Sequence, residues 1–270
     1  MKQLLLASAV ATAVAAPAAV YAQAPAAPAA PASPHTVTAN VGLFNNYIFR
    51  GISQTAGNPA VQGGFDYGHE SGFYAGTWAS NVSWLQDFGQ YTRSSLEWDF
   101  YGGYKWSFAN DFGLDVGTLY YYYPGKKNGV NNPTGISADT LEIYVAGTWK
   151  FLGLKYSYNL QDYFGARPTG QKTDGTWYLD FFVNYPFGDS GFSLNAHYGI
   201  LDVRHDGTGA NEVSYNDWRV GGAYTFPSGP VKGLELGAYY SDTNGGSFYK
   251  DSTGYDTAKS AFVVYVKKTF

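Results

Sequence analysis

The sequence predicts an all-β fold, a transmembrane antiparallel β-barrel of about 12 strands and of the outer-membrane type. Three observations carry this. Aromatic residues make up 19% of the 270 residues, whereas charged residues reach only 14%, against roughly 25% in soluble domains. Apolar and polar side chains alternate with a period of two over runs of about ten residues, the signature of strands with one face wetted and one face buried in something apolar. The connections between these runs alternate short and long, as they do in barrels with tight periplasmic turns and longer outer loops.

Taken in order, the chain opens with Lys2 and a weakly apolar run from Leu4 to Val20, ending in the small-x-small pattern Val20-Tyr21-Ala22. Residues 1–22 read as a Sec-type signal peptide. A membrane anchor would need about 20 uninterrupted apolar residues, and this run is Ala-rich and broken by Pro17. Residues 23–35 form an Ala/Pro-rich spacer whose Pro spacing favours extended chain, here periplasmic. Residues 36–270 constitute the barrel. Its strands are expected at 36–51, 59–69, 72–82, 93–107, 112–123, 139–150, 153–164, 175–186, 191–203, 215–226, 233–242 and 258–270.

The clearest alternation sets Leu96, Trp98, Phe100, Tyr104, Trp106 and Phe108 against Glu97, Asp99, Tyr101, Gly103, Lys105 and Ser107. The third run is the least clean, because Phe73/Ala75/Thr77/Ala79 and Tyr74/Gly76/Trp78/Ser80 do not separate by polarity. Short connections fall around Glu70-Ser71, Ala109 to Asp111, Phe151-Leu152, Phe187 to Ser190 and Pro227 to Lys232; the longer ones include 83–92, 124–138, 165–174, 204–214 and 243–257.

Alternation alone leaves open a soluble sandwich or lipocalin-like barrel. Its polar face would then be the solvent face and would need about twice the charge found here. The rings on the apolar face also cluster near strand ends (Trp98, Trp106, Tyr122, Trp149, Trp177, Tyr185, Trp218), where membrane barrels carry aromatic girdles. The net charge of −4 with scattered Lys and Arg speaks against nucleic-acid binding. The absence of Cys excludes a disulfide framework, Cys-based metal sites and a lipid-modified N-terminal Cys.

The stretch Asn46-Tyr47-Ile48-Phe49-Arg50-Gly51-Ile52-Ser53-Gln54-Thr55, followed by Pro59 to Tyr67 and by Gly72 to Asn81, resembles the opening motif of a proteobacterial family catalogued as Gcw_chp and also called the TorF family of porin-like outer-membrane proteins. The resemblance implies an outer-membrane barrel with a porin-like role, and no catalytic residues. The last strand, with Phe262, Val264, Val266 and the terminal Phe270, resembles the signal read by the barrel-assembly machinery; Lys268 departs from it.

By face and position, the candidate pore-lining residues are Arg50, Gln62, Asp66, Arg93, Glu97, Asp99, Glu142, Asp180, His197, Asp217 and Arg219. Arg50 is expected near the outer end of the first strand, beside a first loop of about seven residues, where it could pair with Asp66 or Gln62. Such a pair reads equally as a charged constriction or as a brace for the lumen wall. The polar-face charges nearly cancel, with Arg50, Arg93, Lys105, Lys150, Lys155, Arg219 and Lys267 against Asp66, Glu97, Asp99, Asp115, Glu142, Asp180, Asp217 and Glu235.

Among the four His, none stands with a Ser in a hydrolase pattern, and no metal-ligand or phosphate-loop spacing occurs. The chain is therefore expected to be no enzyme and to use no cofactor or metal. Twelve strands lie between the filled eight-stranded barrel and the wide channel of sixteen. The leading expectation is passive diffusion of small polar solutes, with outer-membrane lipid and the assembly machinery as partners. The alternative is a non-conducting barrel whose outer loops bind a ligand, adhere or brace the envelope.

Overall fold

The computed structural model describes residues 33–270; the signal peptide and nearly all of the spacer lie outside the described residues. Period-two patterning over long runs gives twelve barrel strands. They are β1 (His35–Phe44), β2 (Ala60–His69), β3 (Phe73–Asn81), β4 (Leu96–Ser107), β5 (Phe112–Tyr122), β6 (Thr140–Trp149), β7 (Leu152–Asn159), β8 (Trp177–Pro186), β9 (Phe192–Asp202), β10 (Tyr215–Thr225), β11 (Leu234–Thr243) and β12 (Ala261–Thr269). Each pairs antiparallel with its sequence neighbours, and β12 pairs with β1, for example Phe44 opposite Tyr265 and Asn40 opposite Thr269. Closure leaves no sheet edge, the condition for strands to cross a bilayer. Among the described residues no helix is long and apolar enough to do so.

Short connections join the even-numbered strands to their successors at 70–72, 108–111, 150–151, 187–191 and 226–233, the end that also carries His35 and Phe270. This is the periplasmic end. The opposite end carries the connections 45–59, 82–95, 123–139, 160–176, 203–214 and 244–260. The outward faces are apolar and exposed, with Val37, Phe65, Phe73, Phe100, Val145, Phe181 and Val264 among many. Large rings lie toward both ends, including Trp98, Trp177 and Trp218 at one and Trp106, Trp149 and Tyr185 at the other. A band of this kind is stable against lipid and unstable against water.

Four element boundaries differ from the sequence expectation by three residues or more. The first strand ends at Phe44 rather than 51, because the chain turns inward. Ile48–Phe49 and Ile52–Ser53 pair as a two-residue hairpin inside the barrel, with its tip Arg50-Gly51 at φ 46° and 77°, the positive-φ pair such a turn requires. The fourth strand starts at Leu96, since Tyr91–Arg93 pairs with Lys126–Lys127 in a separate outer ladder. The seventh ends at Asn159 and is followed by a single turn at Tyr163–Gly165, and the twelfth starts at Ala261.

The inward hairpin also explains the unclear third run. Tyr74, Gly76, Trp78 and Ser80 face inward, and Trp78 is buried against Tyr47, their rings 5.5 Å apart and edge-on. The outer half of the lumen is thus a packed core, with Tyr47, Phe49, Trp78, Leu85, Leu119, Tyr121 and Tyr123 in one cluster and Ile52, Tyr163, Tyr178, Leu201, Tyr215 and Tyr249 in another.

Candidate functional site: the lumen and its inward hairpin

The site forms where the hairpin meets the wall. Arg50 is buried at the hairpin tip, and its Nη2 donates to both carboxylate oxygens of Glu142 on β6, at 2.9 and 3.0 Å. Its guanidinium lies 4.2 Å from the ring centre of Tyr178 on β8 and 4.8 Å from that of Phe49. Its carbonyl accepts the Tyr215 hydroxyl at 2.7 Å. Before the tip, Tyr47 donates to Glu97 at 2.6 Å, and the same carboxylate accepts Tyr123 at 2.5 Å. After it, the Ser53 amide donates to the Thr257 carbonyl at 2.8 Å, while the Ser53 hydroxyl and the Thr55 hydroxyl donate to the Asn46 side chain. The stretch of the family motif from Asn46 to Thr55 therefore builds a plug with its own hydrogen-bond network.

Toward β8–β10, His197 stands between two acids, its Nδ1 3.2 Å from Asp180 and its Nε2 3.6 Å from Asp217. Asp217 also accepts Tyr178 at 2.9 Å. Nearer the periplasmic end, Tyr101 donates to Asp66 at 2.5 Å. Tyr74 donates to Asp115 at 2.6 Å and also contacts the Tyr144 hydroxyl. Glu235 pairs with Lys267 at 3.1 Å and accepts Tyr265 at 3.0 Å. Arg219 lies over the Tyr239 ring at 4.9 Å, Lys155 over Tyr144 at 4.0 Å and Lys105 over Tyr74 at 4.4 Å.

The candidate residues thus fall into separate groups. Arg50 and Glu142 meet, as do Asp180, His197 and Asp217. The expected partners Asp66 and Gln62 do not pair with Arg50, because the hairpin carries Arg50 across the lumen to β6. Gln62 is buried on β2 with neither side-chain polar atom bonded, and Asp99 is fully buried with both oxygens likewise unpartnered. Arg93 is corrected outright: it lies exposed in the outer ladder. Lys150 sits in an exposed periplasmic turn at φ 54°. The near balance of charge read from the sequence therefore gives way. Inside the barrel Arg50, Lys105, Lys155, Arg219 and Lys267 face Asp66, Glu97, Asp99, Asp115, Glu142, Asp180, Asp217 and Glu235, five against eight.

The tyrosines that hold these charges, Tyr47, Tyr74, Tyr101, Tyr123 and Tyr178, are absent from the candidate set. For Tyr101, Tyr123 and Tyr178 the signal was visible as Tyr on the polar face of an expected strand that also carries a carboxylate; the expected strands of Tyr47 and Tyr74 carry none.

A closed twelve-stranded barrel with a lipid-compatible outside and a polar, charged inside defines an outer-membrane β-barrel. A family model described as "Bacterial protein of unknown function (Gcw_chp)" matches residues 28–270, and the chain belongs to that family. Among solved structures, a NanC porin aligns at 13% identity with a TM-score of 0.52, covering 87% of this chain and 99% of that one. A KdgM porin aligns at 8% identity with a TM-score of 0.50 and the same coverage. A KdgM porin in complex with disordered oligogalacturonate gives 9% and 0.50. At these identities the likeness is one of fold. No curated protein sequence matches the chain.

Proposed function

We propose that the protein is an outer-membrane channel for small hydrophilic solutes that prefers cations and is closed, in the conformation described, by its first loop. The observation that carries this reading is the Tyr47–Ser53 hairpin seated in the lumen and tied to the wall through Arg50–Glu142 and Tyr47–Glu97. A loop that merely braced the wall would not need to cross the lumen. An ion pair that is complete when the loop is in place, and that leaves a charge on each side when it is displaced, suits a two-state closure. The acidic excess of the interior supports the preference for cations, since rings of carboxylates select them.

Planar-bilayer recording tests the reading. The wild type is expected to conduct in rare or small steps. Arg50→Ala and Glu142→Gln, each confirmed as folded by heat-modifiable gel migration, are expected to conduct more often and in larger steps, with liposome swelling faster for small cationic and neutral solutes than for anions.

A second reading, a non-conducting barrel acting through its outer loops, is favoured by the complete burial of Asp99, Glu142, Asp180 and Asp217, which keeps all four side chains out of contact with water. Silence of the wild type and of both variants would establish it.

A further inference from the structure

Directly outside the hairpin lies a cavity of about 100 Å³ whose walls come from the hairpin, the Trp84–Asp87 helical turn and the outer loops. Nine of its fifteen lining residues are aromatic, among them Phe49, Trp84, Tyr123, Phe164, Tyr215 and Tyr249, and none is charged. Just behind these walls lie carboxylates. Tyr123 presents its ring to the cavity side and hands its hydroxyl to Glu97 at 2.5 Å, and Phe49 precedes the Arg50 whose charge Glu142 already neutralises. The barrel's own cations show what such a combination holds. Four of its five interior cations, Arg50, Lys105, Lys155 and Arg219, lie over tyrosine rings at 4.0–4.9 Å, and two of them, Arg50 and Lys105, also pair with a carboxylate. An aromatic-walled space attracts a cation through the ring quadrupoles, most strongly when the cation is poorly hydrated.

We infer that the aromatic vestibule is a binding site for a small organic cation of the alkylated-ammonium class, which it would deliver to the acidic lumen. Three features select that class. The volume admits a compact group, the apolar walls reject strongly hydrated inorganic ions, and the negative faces of the lining rings, backed by a lumen with eight acidic side chains against five basic ones, disfavour anions. As a delivery route the assignment rests on the channel reading; as a binding site it does not.

The experiment is calorimetric titration of the detergent-solubilised full chain with choline and, separately, with its uncharged isostere 3,3-dimethylbutan-1-ol. Choline is expected to bind, and the isostere to bind at least about tenfold more weakly. Trp84→Leu and Phe248→Leu, each checked for folded migration, are expected to weaken choline several-fold while leaving the isostere nearly unchanged. Equal affinity for the two probes would overturn the inference by making the space a generic apolar pocket. Absence of choline binding to the wild type, or unchanged choline affinity in whichever variants fold, would overturn it equally. Choline binding by a barrel that never conducts would retain the site and reject the channel; conduction without choline binding would do the reverse.

Discussion

Arg50 holds a left-handed backbone, φ 46°, a conformation that costs a non-glycine residue roughly 1 kcal/mol. The contact of its Nη2 with both oxygens of Glu142, its ring contact with Tyr178 and the Tyr215 bond to its carbonyl offset that cost, so the strain is tied to the seated hairpin. Its neighbour Gly51, at φ 77°, has no room for a side chain: an added Cβ would lie 2.6 Å from Cβ of Asp217 and 3.0 Å from Cβ of Thr243. Gly51→Ala is therefore expected to destabilise the seated hairpin by about 1–2 kcal/mol and to expose the 46–55 segment to protease in a barrel that still migrates as folded. Unchanged resistance to cleavage would show that the seat tolerates the methyl group.

A second residue-scale prediction concerns Asp251 in the outer loop after β11. Burial pushes its pKa up, but the Thr253 hydroxyl and amide and the Tyr255 amide, at 2.7, 2.8 and 2.9 Å, outweigh that and hold it below the usual carboxylate value. A depressed folded pKa stabilises the loop above the unfolded value near 4 and loses that contribution as pH falls through the lower folded value. Hydrogen-exchange protection in residues 244–260, taken relative to intrinsic rates that themselves slow toward acid, is expected to fall between pH 6 and pH 3, and Asp251→Asn to abolish that fall.

At the scale of elements, strand positions were legible because period-two patterning is a direct consequence of a wall with two unlike sides. The runs around Trp98 and Trp177 put the same residues inside and outside that the structure does. The ends were less legible. Asn46 to Ser53 continues an alternation that suits a strand, yet Tyr47 and Phe49 find apolar partners only inside the lumen, a tertiary outcome that local pattern does not encode. The same contact puts Trp78 on the inner face and blurs the third run.

The terminal strand carries a different kind of information. In the finished barrel Phe270 donates its amide to Ala39 at 2.9 Å while its ring is exposed, so its contribution to the folded state is small. If the ring serves recognition by the assembly machinery, deletion of Phe270 is expected to lower the yield of assembled barrel in cells several-fold and to leave refolding into detergent micelles nearly unchanged. Equal loss in both settings would assign the residue to stability instead.

At the scale of the whole molecule, the acids on the polar faces of the expected strands sit on inward positions, whereas two of the seven bases counted with them do not. Arg93 and Lys150 fall on polar positions by simple alternation, and only the outer ladder and the positive-φ turn take them out of the lumen. What had read as a nearly neutral interior is acidic, and Asp99 is the place where the consequence can be measured. Its carboxyl group is fully buried on β4 near Glu97, without a hydrogen bond; a charge there is destabilising while the hairpin is seated, and displacing the hairpin wets the group and lets it ionise. Asp99→Asn keeps the shape and removes the charge. In barrels opened by Arg50→Ala, the added substitution is expected to move the reversal potential in a potassium chloride gradient toward zero while leaving barrel stability unchanged or raised by about 1 kcal/mol. A reversal potential that does not move would mean that ions pass without sensing the carboxylates of the outer half. Selectivity would then have to reside nearer the periplasm, where Asp66, Asp115 and Glu235 are each bound to a tyrosine hydroxyl.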